Sequence, residues 1–160
     1  MFILDSNIYI EGFNNNSFAS GFRGFHQTNL PRIILSAVVL SELLVGANSR
    51  NRERVLRRTL IEPFRSRRRI LVPTLQTWES ASAVDRRLRS LGNFDSSLAQ
   101  RGFFNDILIA ASAREIGATI ITKNLIDFAL IARVLDVRFA PPWPPFTRYG
   151  SDAPKLASFQ

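Results

Sequence analysis

The chain opens MFILDSN, residues 1–7, in which the apolar run Phe2-Ile3-Leu4 ends on Asp5 and two further polar residues. A short apolar run closed abruptly by a carboxylate reads as a buried strand delivering its first polar side chain at the strand's carboxyl end. The following residues, Ser6–Phe13, read as a short helix. The same unit recurs: Ile33–Leu35 as a strand before a helix capped by Ser36 and running to Ala47, and Ile70-Leu71-Val72 as a strand before Pro73 and an amphipathic helix over Leu75–Leu91. Asp106–Ile116 reads as an apolar helix stopped by Gly117, Ala118–Thr122 as a buried strand, Asp127–Leu135 as a helix and Val137–Ala140 as a last strand. NNNSFASGFRG (14–24) and GNFDSSLAQRG (92–102) read as loops from their Asn, Ser and Gly content, and Asn51–Phe64 as a basic helix. Short strands alternating with helices predict an α/β sandwich with a mainly parallel sheet. Residues 1–140 form the expected domain, and the Pro-rich stretch 141–160 an extension, packed or partly disordered.

With 160 residues, 46% apolar and 21% charged, the chain can bury a core without staples. It has no cysteine, which removes disulfides and thiolate metal sites. No basic n-region with an apolar h-region opens it, and no apolar stretch approaches the ~20 residues that span a bilayer. It therefore reads as soluble and cytoplasmic, with no membrane role. The net charge of +8 rests on nineteen Arg and only two Lys. Guanidinium forks suit bidentate contacts to phosphate or carboxylate, so an anionic partner or a highly charged soluble surface are the two readings.

Four carboxylates sit in apolar settings. Glu42 has Val38, Val39, Val45 and Gly46 as its neighbours one turn away, and none of them can pair with it. An ionised carboxylate on such a face needs a compensating group, unless Ser41 and Glu42 mark a narrow solvent edge. Asp106 opens the helix DILIAASAREIG, where it caps, ligates or does both. Asp127 in ITKNLIDFALIA reads as the cap of the helix starting at Phe128, with Asn124 nearer the strand end.

The order of these pieces resembles the PIN-domain ribonucleases, especially VapC-like toxins of toxin–antitoxin modules. The stretches that carry the likeness are ILDSNIYI, SAVVLSELLVGA, FFNDILIAASAREIGATIITKN and the following IDF, spread over residues 2 to 128. The resemblance implies a PIN-like three-layer sandwich and a metal-dependent endoribonuclease. Asp5, Glu42 and Asp106 match the family's three acidic positions. The fourth, variable position holds Asn124, with Asp127 three residues on as the alternative ligand. Ser6, Asn7, Thr122 and Asn124 would support them by hydrogen bonding. An all-oxygen site without cysteine favours one or two Mg²⁺ or Mn²⁺ ions over zinc. His26, in the first loop, is not needed as a base.

The resemblance also implies an RNA substrate, an antitoxin that covers the active site and a homodimer. Within the run Arg50–Arg69, residues Arg50, Arg54, Arg57, Arg58, Arg67 and Arg68 are candidates for RNA or antitoxin binding, or else form a solvated face. Two other functions compete. One is a catalytically silent PIN-like module that binds RNA or protein, which the Asn124 departure favours. The other is an aspartyl-phosphate phosphatase, which normally wants a second Asp where Asn7 stands.

Overall fold

The computed structural model describes residues 1–91 and 101–142. Five strands form one sheet: β1 (Phe2–Leu4), β2 (Ile33–Ser36), β3 (Ile70–Leu71), β4 (Thr119–Ile121) and β5 (Arg138–Ala140), in the spatial order β3-β2-β1-β4-β5. Every pairing is parallel, with Ile3 opposite both Ile34 and Ile120. The central strands are buried on both faces, which is why they read as continuous apolar runs rather than alternating ones. Helices flank the sheet: α1 (Ser6–Asn14), α2 (Asn16–Asn29), α3 (Ala37–Gly46), α4 (Arg50–Leu56), α5 (Glu62–Ser66), α6 (Leu75–Ser90), α7 (Arg101–Glu115) and α8 (Leu125–Ala132). The core packs Ile3, Ile8, Leu35, Val39, Ile107, Ile109, Ile120 and Phe128 at the sheet, all essentially inaccessible to water. The α/β sandwich with a parallel sheet is the expected one.

The strand order reverses direction at β1. From β1 the chain proceeds outward through β2 to β3, and β4 then returns to the other side of β1. A parallel sheet with such a reversal opens a crevice outside the carboxyl ends of the two strands that flank it. Those ends are Asp5, after β1, and Thr122-Lys123-Asn124, after β4. The main chain stays paired across the opening, with the Asp5 amide donating to the Ile121 carbonyl at 2.9 Å.

Several expected elements are corrected. The stretch 14–24 is not a loop, because α2 occupies most of it. The Asn15 side chain accepts from the Ser17 amide at 3.0 Å and caps this helix. Phe22 and Phe25 then bury one face against Tyr9 and Phe2, with ring centroids 5.9 and 5.5 Å apart. Gly12 permits this packing: a Cβ there would lie 2.5 Å from Phe22 Cγ. His26 consequently lies in a helix rather than a loop, packed on Phe22 and Phe64.

The basic helix over 51–64 is interrupted by a π turn at Arg57–Ile61, after which Pro63 sits in the first turn of α5. Two further boundaries bear directly on the acidic residues. α7 begins well before Asp106, which is therefore interior to the helix and not its opening residue. Similarly, α8 begins at Leu125 and is capped by Asn124, so Asp127 lies in its first turn rather than at its cap. Gly117 ends α7 with φ +63°, a left-handed conformation that favours glycine. Of the predicted loop 92–102, residues 92–100 lie outside the described residues, as does the extension beyond Pro142.

Candidate functional site

Asp5 is the best-anchored member of the site. Only 3% exposed, it caps α1 by accepting from the Ser6 amide at 2.7 Å through Oδ1. Its Oδ2 accepts from the Thr122 hydroxyl and from the Asn7 amide, both at 2.6 Å. Thr122 Oγ1 also accepts from the Asn124 main-chain N–H at 2.9 Å, and Asn7 Oδ1 accepts from that of Lys123 at 3.1 Å. The loop after β4 is thus tied to the loop after β1 by side chains that converge on one carboxylate. Asn7 is fully engaged in this bracing. Burial pushes the Asp5 carboxyl up; the Thr122, Ser6 and Asn7 hydrogen bonds oppose that rise, and the charge of Glu42 adds to it.

Asp106 projects into the same crevice from α7. Burial is the largest cause of its rise to about 8, followed by the charges of Asp5, Asp127 and Glu42, with the Asn124 hydrogen bond opposing. The charges of Asp5, Asp127 and Glu42 thus all reach Asp106. Asn124 Nδ2 donates to Asp106 Oδ2 at 3.1 Å and to Asp127 Oδ2 at 2.7 Å, which places one amide between two carboxylates. Glu42, half-buried on α3, accepts from Asn105 Nδ2 at 2.8 Å.

None of the ion pairs among the described residues involves Asp5, Glu42, Asp106 or Asp127. Lys123, next to the crevice, directs its ammonium to Glu11 at 2.7 Å instead. In a chain of net charge +8, this concentration of negative charge without a cation is a local inversion of sign. The donors present are all oxygens, a chemistry that suits a hard divalent cation rather than zinc. Among the described residues no group of three His, Cys, Asp or Glu side chains is placed so that it could hold a metal ion, and Thr122, Asn7, Asn105 and Asn124 donate to carboxylate oxygens of the site.

Of the residues expected at the site, Asp5, Asn7, Thr122, Asn124, Asp106 and Asp127 are joined by hydrogen bonds, Ser6 contributes its backbone N–H, and Glu42 bonds to Asn105 while its charge reaches Asp5 and Asp106. Asn105 was missed as a partner of Glu42. Its signal was its place beside Asp106, a polar pair inside the apolar stretch FFNDILIA. The six arginines do not form one patch. Arg50, Arg54, Arg57 and Arg58 lie on α4 and the π turn, whereas Arg67 and Arg68 immediately precede β3 and so stand at the amino edge of the sheet, opposite the crevice. His26 is remote in role: burial lowers its pKa, and its Nε2 is enclosed without a hydrogen-bond partner among the described residues.

The chain is similar to VapBC from Salmonella typhimurium, solved bound to DNA, with 26% identity, a TM-score of 0.65, and coverage of 89% of this chain and 98% of that one. It is equally similar to VapBC-1 from nontypeable Haemophilus influenzae, at 26% identity and TM-score 0.63, covering 88% of this chain and 96% of that one. FitAcB from Neisseria gonorrhoeae shares the fold at 20% identity and TM-score 0.68, with 89% and 99% covered. A search of curated protein sequences finds no match. The PIN domain model matches residues 2–134, which include β1, the four carboxylates and the loop after β4, and the chain belongs to the PIN-domain family.

Proposed function

We propose that this chain is a metal-dependent endoribonuclease and the toxin of a VapBC-type toxin–antitoxin pair, acting in the cytoplasm. The observation that carries the reading is the hydrogen-bonded link from Asp5 through Thr122 and Asn124 to Asp106 and Asp127, none of which is in an ion pair among the described residues. PIN domains are generally nucleases that use divalent metals, and the similar solved structures are toxin–antitoxin complexes. Asp5 and Asp106 would hold one or two Mg²⁺ or Mn²⁺ ions, with Glu42 and Asp127 completing the donor set. Such an ion activates water and stabilises the charge that develops on a phosphodiester. The chemistry is hydrolysis: water attacks phosphorus in line and one P–O bond breaks.

The chain's own part is placement. Asp5 is locked by Thr122, Asn7 and the Ser6 amide, so its oxygens are oriented before substrate arrives. Asn124 sets the separation of Asp106 and Asp127, and Asn105 orients Glu42. An antitoxin segment would cover this crevice, and the toxin would act as a homodimer.

Cleavage of structured RNA with Mg²⁺ or Mn²⁺, by wild type against Asp5→Asn and Asp106→Asn, tests the reading. Wild type is expected to cleave and both variants to lose activity by at least about a hundredfold. Equal cleavage by all three would remove these residues from the chemistry. A second reading, a catalytically silent module that binds RNA or protein, draws support from Asn124, whose amide holds Asp106 and Asp127 together without an ion. Failure of wild type to cleave any RNA tested, with its thermal stability indifferent to divalent ions, would favour that second reading.

A further inference from the structure

The arginine run divides into two parts with different surroundings. On the first, Arg50, Glu53, Arg54, Arg57, Arg58 and Glu62 line an open trough enclosing about 430 Å³. Glu53 pairs with Arg57 at 2.8 Å, and Glu62 with Arg65 at 2.6 Å. Those pairs engage both carboxylates of the trough. Arg50, Arg54 and Arg58 remain exposed, and no carboxylate pairs with them among the described residues. Arg50 and Arg54 are one α-turn apart, about 6 Å along the axis. The π turn advances each residue through a smaller angle than an α turn, so Arg58 stays near their row rather than rotating off it.

The second part faces elsewhere. Arg69 is structural, donating to the Leu30 and Ile33 carbonyls and lying over the Phe64 ring. Arg67 turns back on the Pro63 carbonyl at 2.9 Å, and Arg68, at φ +53°, belongs to the turn that leads into β3. These stand at the amino edge of the sheet. The trough, by contrast, follows directly on α3, which bears Glu42. The eight-residue step from Glu42 to Arg50 spans at most about 28 Å even if fully extended.

We propose that Arg50, Arg54 and Arg58 form a track for the phosphates of an RNA strand whose scissile bond lies in the acidic crevice, and that Arg67 and Arg68 take no part in it. The inference rests on the nuclease reading for its substrate. What favours RNA backbone is the repeat: three exposed guanidinium groups, none paired with a carboxylate among the described residues, follow one another along a single helical segment. Guanidinium groups without carboxylate partners, arrayed along one helix face, suit a repeating anion and bidentate contact.

The test measures binding of a fluorescein-labelled single-stranded RNA of mixed sequence by anisotropy in EDTA, so affinity is read whether or not the chain cleaves. Arg54→Gln/Arg58→Gln is compared with Arg67→Gln/Arg68→Gln, which removes the same charge. The first pair is expected to weaken binding at least about tenfold and to flatten the slope of log affinity against log salt by about 1.4, with Arg54→Lys/Arg58→Lys restoring the slope but only part of the affinity. The second pair should stay within about twofold of wild type. Equal weakening by both pairs means that net charge alone attracts RNA, and overturns the proposal. So does no weakening by the first pair, or no measurable binding by wild type. Polyglutamate competing as effectively as RNA, with the same dependence on Arg54 and Arg58, overturns it in favour of an acidic protein partner. Cleavage with Mg²⁺ is scored separately: a chain that binds in this pattern and never cleaves refutes the nuclease reading and leaves the track standing.

Discussion

Asp106→Asn is expected to stabilise the metal-free protein at neutral pH while abolishing its response to divalent ions. The carboxyl of Asp106 is pushed up to about 8 from an ordinary value of 3.8, first by burial and then by Asp5, Asp127 and Glu42. Below about pH 4 the group is protonated in both folded and unfolded chains and contributes no pH dependence. Between that point and about pH 8 the unfolded chain has released a proton that the folded chain keeps. Folding then takes up a proton, and stability falls with rising pH by about 1.4 kcal/mol per unit, levelling off above pH 8. The roughly three units up to pH 7 set a ceiling of about 4 kcal/mol. Asparagine carries no proton to retain, and its carbonyl can still accept from Asn124, so the variant lacks this loss. Urea unfolding in EDTA from pH 4 to 9 measures the effect. The two proteins should be close at pH 4 and diverge steadily, the variant ahead by up to about 4 kcal/mol at pH 7, or about 8–16 °C in Tm. Adding Mg²⁺ should raise the wild-type midpoint and leave the variant's unchanged. Parallel pH profiles, or a variant less stable at pH 7, would refute the electrostatic account of the crevice.

Other outcomes follow from the same contacts. Asn124→Asp removes the amide between Asp106 and Asp127 and adds a charge, so the metal-free chain should lose about 1–3 kcal/mol at pH 8, by urea unfolding, and bind Mg²⁺ more tightly, by titration calorimetry. Thr122→Val leaves Asp5 Oδ2 and the Asn124 amide each short of a partner; a cost of about 1–3 kcal/mol in urea unfolding is expected, with RNA cleavage reduced through misplacement of Asp5. Gly12→Ala places a methyl group 2.5 Å from Phe22 Cγ and should cost about 1–3 kcal/mol, seen as a lower Tm with RNA affinity unchanged. Asn105→Ala frees the Glu42 carboxylate from its donor and should lower cleavage while shifting Tm little, which separates orientation of Glu42 from folding.

The sequence by itself determined the local units. Phe2–Leu4, Ile33–Ser36 and Thr119–Ile121 are short, apolar and bounded by polar residues, and strands buried on both faces leave that signature. It also located the carboxylates, because Asp and Glu in apolar surroundings are conspicuous against their cost. It misjudged α2, whose Asn, Ser and Gly residues resemble a loop. That helix is held by Phe22 and Phe25 against Phe2 and Tyr9, contacts that exist only once β1 and α1 are in place. Local composition likewise put Asp106 and Asp127 at helix caps, when α7 runs past the one and Asn124 caps above the other.

Only tertiary structure decided that these residues meet. Nothing local states that β4 returns to lie beside β1, yet that placement lets the Thr122 hydroxyl reach Asp5 across a sequence separation of 117 residues. Sheet order is settled by which apolar faces bury most completely together, a comparison over the whole chain. The burial that raises Asp106 and the hydrogen-bonded link from Asp5 through Thr122 and Asn124 to Asp106 and Asp127 are consequences of that order.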